Sequence, residues 1–143
     1  MATILAHIVI RPGKEAAFES IAASLHSTSH ATEQHLRAYG YWRGQAPRSY
    51  YTLLAFEDFM GFMEHQTSSH HEDAALGLRE CIESMKLEWV DPIEGASTLA
   101  PSNPQEVPAD APPLVVRYAG MMPVQLAEWW QPLRSARTED QPA

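Results

Sequence analysis

The first 95 or so residues predict one α+β domain with elements in the order β-α-β-β-α-β, followed by an extension of different character. Three observations carry that prediction. Residues 3–11, 36–43 and 49–56 are rich in β-branched and aromatic side chains and stop at turn residues. Residues 14–33 repeat their apolar side chains at helical spacing. After Gly95 the composition changes: residues 96–113 hold five of the eleven prolines and no aromatic residue, as a linker does.

The elements follow in order. The run 3–11 ends at Pro12-Gly13 and reads as a strand closed by a turn; it is apolar on both faces, as a central strand is. Phe18, Ile21, Ala22 and Leu25 make one stripe on the helix from Lys14 to about Glu33. The runs 36–43 and 49–56 flank a short turn at 45–48 and predict a hairpin. Asp58 is placed to N-cap a short helix carrying Phe59, Phe62 and Met63. After Thr67-Ser68-Ser69 a second helix is expected from about His70 to Ser84, with Ala74, Leu78, Cys81, Ile82 and Met85 inward. Residues 86–91 form a last strand, ended by Pro92 and Gly95. In the extension, 114–119 (LVVRYA) predicts one more strand, Pro123 the start of a short helix with Trp129 and Trp130, and the end from about Arg137 disorder. The two units are thus 1–95 and 96–143. The first makes a four-stranded antiparallel sheet with helices on one face, the ferredoxin-like arrangement. Apolar residues lie on both faces of such a sheet here, among them Leu5, Val9 and Leu53, so the second face is expected to be covered by another copy.

Composition narrows the function. A formal charge of −8 argues against nucleic acid and anionic membranes as partners. The single cysteine, Cys81, excludes an internal disulfide framework and fits a reducing compartment. No apolar run approaches the roughly 20 residues that span a bilayer, and a cytoplasmic protein is expected.

Three segments resemble a known family. They are Arg11-Pro12-Gly13-Lys14-Glu15 with Phe18 after it; Ala55-Phe56-Glu57-Asp58 leading into a short helix; and the run from Phe62 to His70, with Glu64, His65, Thr67, Ser68 and Ser69 between. In this order and spacing they are similar to the antibiotic-biosynthesis monooxygenases, which include small quinol monooxygenases of the dimeric α/β-barrel superfamily. The resemblance covers residues 3–95. It implies a homodimer whose sheets close into one barrel, and oxidation of a phenol or quinol by O2 without metal, flavin or haem. The partners implied are a small aromatic substrate and O2. Polyketide-oxidising members use an Asn and a Trp on the third strand, where Thr52 and Phe56 stand in this chain. Haem-degrading members carry an axial His near the position of Ala75, which disfavours haem breakdown.

The chemistry then needs a base, an aromatic pocket and donors for an oxyanion. His65 and His70 are the candidate bases, with pinning of the helix break as the structural alternative. His7, mid-strand, either lines the cavity or is a satisfied core histidine. Tyr39, Trp42, Tyr51, Thr52, Phe56 and Phe62 are candidates to contact a planar ring, and strand alternation allows only some of them to do so. His71 reads as a surface or first-turn residue. His26, His30 and Glu33 fall at i, i+4 and i+7 of the first helix and offer a metal-ligand spacing, or else a polar helix edge. Four readings follow: a cofactor-independent monooxygenase, a non-catalytic ligand-binding dimer, an isomerase on the same fold, and a metal-dependent enzyme.

Overall fold

The computed structural model describes residues 1–103, 105–121 and 126–134. Strand β1 (Ala2–Ile10) leads into helix α1 (Glu15–Thr32), the hairpin β2 (Leu36–Arg43) and β3 (Ser49–Phe56), helices α2 (Phe59–Thr67) and α3 (Ser69–Cys81), strand β4 (Ile82–Trp89) and helix α4 (Pro113–Ala119). The sheet order is β2-β3-β1-β4, with every neighbouring pair antiparallel. This is the α+β, ferredoxin-like topology, and the four strands form an open sheet.

Local chemistry accounts for the joints. Gly13 takes φ +83°, a conformation that costs glycine little, and turns the chain from β1 into α1. The buried residues of α1 are Phe18, Ala22, Leu25 and Ser29, one stripe at helical spacing. Asp58 N-caps α2 by accepting the Gly61 N–H at 2.7 Å. Ser68 joins α2 to α3: its hydroxyl donates to the His65 carbonyl at 2.7 Å and accepts the His71 N–H at 3.3 Å.

Strand pairing sorts the side chains onto two faces. Ile4, Ala6 and Ile8 of β1 align with Leu54, Thr52 and Tyr50 of β3 and with Trp89, Leu87 and Met85 of β4. This face packs under the helices against Phe18, Phe59, Phe62 and Met63. Each fully buried aromatic ring there contributes about 2–3 kcal/mol through area removed from water. The opposite face carries Leu5 against Leu53, His7 against Tyr51, and Tyr51 against Trp42. No helix covers it among the described residues, and Trp42 and Tyr51 are 55% and 39% exposed.

Two expectations need correction. Residues 82–85 open strand β4 rather than end the second helix, because Ile82 and Met85 pair with Ile10 and Ile8 across a register shift in β1. Residues 114–119 are helix α4, not a strand. Pro113 starts the helix, and Val115 is buried against the cluster that holds Phe59 and Phe62.

The extension is bound to the domain. The Ser102 hydroxyl donates to the Val90 carbonyl at 2.6 Å, and the Asn103 N–H to the Met1 carbonyl at 2.7 Å. The Arg134 guanidinium grips the Asp91 carboxylate with two nitrogens and donates to the Ser102 carbonyl at 2.7 Å. Of the two tryptophans expected to dock, Trp130 packs on the core while Trp129 is 71% exposed. The expected helix start at Pro123 and the end from Arg137 lie outside the described residues. Among the described residues no helix is long and apolar enough to cross a membrane.

Candidate active site

A cavity of about 630 Å³ lies between the helical face of the sheet and helices α2 and α3, with α4 and Met121 at its rim. Tyr39, Tyr41 and Thr52 come to its wall from the sheet, Phe62 and His65 from α2, and His71, Ala75 and Leu78 from α3. Arg117 and Tyr118 reach it from α4.

One end of the site is a carboxylate shared by two imidazoles. Glu33 follows the last turn of α1 with extended backbone angles, φ −96° and ψ 109°, and so leaves the helix phase of His26 and His30. His65 Nδ1 lies 2.9 Å from both Glu33 oxygens, and His70 Nε2 lies 2.7 Å from one of them. Burial alone would raise the Glu33 carboxyl, but hydrogen bonds from His65, Ser29 and His70 outweigh it and hold it at about 2. With Glu33 ionised, the proton of a neutral His65 ring sits on Nδ1, leaving Nε2 as its basic nitrogen. His65 is 1% exposed and touches the rings of Tyr39, Phe56 and His71.

Two polar atoms in the cavity wall lack a hydrogen-bond partner: Thr52 Oγ1 and His71 Nδ1. Buried polar atoms are nearly always paired, so these two unsatisfied atoms, both on residues that line the cavity, stand out. Burial, reinforced by neighbouring His65, pushes His71 down to about 4, and its ring is neutral near pH 7. The Tyr39 and Tyr41 hydroxyls share a 2.5 Å hydrogen bond, and burial raises both phenols, so they act as neutral donors.

Of the residues singled out in the sequence, Tyr39, Thr52, Phe62 and His65 line this cavity. His70 stands behind the wall, hydrogen-bonded to Glu33 with the Ser29 and Ser68 hydroxyls close by. Phe56 is fully buried beneath Phe62 and His65. His7, Trp42 and Tyr51 belong to the opposite face of the sheet. The rings of His26 and His30 meet at a tilt with centroids 4.3 Å apart, and His30 lies 3.1 Å from the Tyr39 carbonyl.

The grouping His26, His30 and Glu33 is therefore corrected to Glu33, His65 and His70, whose ligand atoms lie within 4.8 Å of one another. Two imidazoles and a carboxylate suit a divalent transition metal. The same three groups already satisfy one another by hydrogen bonding. The residue that the sequence undervalued is His71. Its signal is its spacing from Ser68, which caps α3 and sets the phase that turns His71 inward.

A second concavity, of about 650 Å³, runs along the edge where α1 meets β2. Its carboxylate, Glu19, is held at about 2 by Arg43 and Tyr50, which satisfy both oxygens. That saturation leaves the cavity under α2 and α3 as the better-equipped site.

Solved structures share the fold. PA3566 from Pseudomonas aeruginosa is 20% identical, with a TM-score of 0.59 over 64% of this chain and 92% of its own. Rv0793 from Mycobacterium tuberculosis is 15% identical, with a TM-score of 0.61 over 67% and 98%. A structure described as an antibiotic biosynthesis monooxygenase is 16% identical, with a TM-score of 0.58 over 65% and 99%. No curated protein matches the sequence. The family model for antibiotic biosynthesis monooxygenase matches residues 1–75, more than half of the chain, and the chain belongs to that family.

Proposed function

We propose that the protein is a monooxygenase that oxidises a phenol or quinol-type aromatic with O2 in the cavity between the sheet and α2/α3. The observation that carries this reading is an aromatic-walled cavity holding an imidazole oriented by a carboxylate, beside two unpaired hydrogen-bonding atoms. His65 takes the phenolic proton through the nitrogen left basic by Glu33. Thr52 and neutral His71 hydrogen-bond the substrate oxygen, with the Tyr39–Tyr41 pair close by. The phenolate passes one electron to O2, and superoxide recombines with the ring radical at an unsubstituted carbon, para in a phenol or ortho in a quinol. Loss of water from the hydroperoxide breaks the O–O bond and leaves the quinone. One phenol and one O2 give one quinone and one water, one quinol and one O2 give one hydroxyquinone and one water, and the electrons come from the substrate itself.

The test is O2 uptake with a panel of naphthols and hydroquinones, after dialysis against chelator, with 18O2 as label. One labelled oxygen per quinone is expected, and His65→Ala should slow turnover by about 10²-fold or more. Tight binding without turnover would overturn the oxidation and leave a ligand-binding dimer; conversion without O2 would leave an isomerase. The Glu33–His65–His70 group supports one second reading, a bound divalent metal. Activity lost to chelator and restored by one metal would install that reading in place of the first.

We also propose a cytoplasmic homodimer formed through the open face of the sheet. Leu5, Val9, Leu53, Tyr51 and Trp42 form an apolar patch there that a second copy would cover.

A further inference from the structure

The chain has 18 acidic residues against 10 basic ones, and five of the nine lysines and arginines among the described residues pair with a carboxylate. Arg37 pairs with Glu57, Arg43 with Glu19, Arg48 with Glu83, Lys86 with Glu88 and Arg134 with Asp91. Among the described residues, Arg11, Lys14, Arg79 and Arg117 form no ion pair. Three of these four, Arg11, Arg79 and Arg117, line the same cavity.

They come from three separate parts of the chain: the end of β1, the last turn of α3, and α4 of the extension. Arg11 uses its Nε on the Ile82 carbonyl at 3.2 Å, which holds it at the rim. Arg79 and Arg117 flank Tyr118, whose hydroxyl donates to Glu72 at 2.5 Å, and their positive charges act on that phenol. Among the described residues, the arginines that form no ion pair thus all line this one cavity. The three arginines are exposed, and Leu78, Met85, Tyr118 and Met121 beside them add apolar surface to a site where an anion can make charge-assisted hydrogen bonds.

We infer that Arg79 and Arg117 form an anion subsite, and that the ligand is an aromatic ring bearing an acidic substituent at the end nearest the rim. The ring occupies the wall of Tyr39, Phe62 and His65, while the acidic group stays between the two arginines. This rests on the proposed function for the location of the ring and adds the chemical class of ligand.

Binding, rather than turnover, provides the test. The intrinsic fluorescence of 1-hydroxy-2-naphthoate and of 1-naphthol reports their affinity for the full chain, with 1-naphthol-2-sulfonate as a second anion. The wild type is expected to hold the carboxylate at least about tenfold tighter than the uncharged naphthol. Arg117→Gln and Arg79→Gln should each remove most of that preference and leave naphthol binding within about twofold. Equal affinity for the sulfonate would extend the subsite to anions in general; a weaker sulfonate would restrict it to carboxylates. Equal affinities for charged and uncharged ligands, no binding of any, or a preference that survives the double substitution would overturn the subsite. Preference without turnover would overturn the oxidation alone; turnover without preference would overturn the subsite alone.

Discussion

Replacing Glu33 by glutamine removes one charge and keeps a side chain of the same size in the pocket formed by His65, His70 and Ser29. The carboxyl lies at about 2 against 4.5 for an ordinary glutamate. A displacement of that size corresponds to about 3 kcal/mol of preference for the ionised form, and solvent reaching the carboxylate reduces this to roughly 1–2 kcal/mol. The folded value is depressed, so this stability is fully present above pH 4.5 and is lost as the pH falls toward about 2. Urea unfolding of both proteins across that range measures it. Glu33→Gln should be less stable by about 1–2 kcal/mol near neutral pH, with a gap that closes as the medium becomes acidic. A gap of constant size at every pH would show that the carboxylate contributes shape and not charge. The variant should also slow turnover while 1-naphthol binding is retained, because the tautomer of His65 is no longer fixed; unchanged turnover would refute that positioning role.

Phe62→Ala opens a void under α2 and should cost about 3–5 kcal/mol in denaturant unfolding, with weaker binding of aromatic ligands. Asp91→Ala removes the anchor of Arg134 and the Ser102 N–H, and should make residues 96–134 a site of limited proteolysis while the sheet's circular dichroism is retained. Leu53→Arg puts a charge on the open sheet face and should convert a dimer to monomer in sedimentation; a wild-type monomer would refute that interface. His71 holds its neutral form until the pH falls through about 4, so ligand affinity should be level above pH 5 and drop near that value. A loss centred near 6.5 in fluorescence titration would remove His71 from the site.

The strands and first helix were legible because their side chains carry their own period. Residues 36–43 and 49–56 alternate, and both strands have those bounds in the structure. Where two periods competed, the sequence was ambiguous. Cys81, Ile82 and Met85 fit a helical stripe equally well, and only pairing with β1 makes the last two strand residues. In 114–119 the β-branched valines suggested a strand; Pro113 at the first turn and the docking of Val115 made a helix. The candidate site shows the same limit. His65 could be singled out from its motif, but its partner could not, because Glu33 leaves helical geometry at the end of α1 and turns away from His26 and His30. The inward turn of His71 depends on where Ser68 restarts the helix. The three rim arginines are scattered over more than a hundred residues, and only the tertiary fold brings them to one mouth.

Among the described residues, the extension is tied to Asp91, Val90 and Met1 by hydrogen bonds, packs Val115 and Trp130 on the core, and lines the cavity through α4 and Met121. The family match ends at residue 75, and the solved relatives described above cover about two thirds of the chain. The shared fold thus accounts for about two thirds of the chain, and the arm is anchored to it by contacts of its own. Grafting such an arm onto a bare relative, with Asp91 and Arg134 as its clasp, offers a route to new ligand selectivity that leaves the reaction chamber untouched.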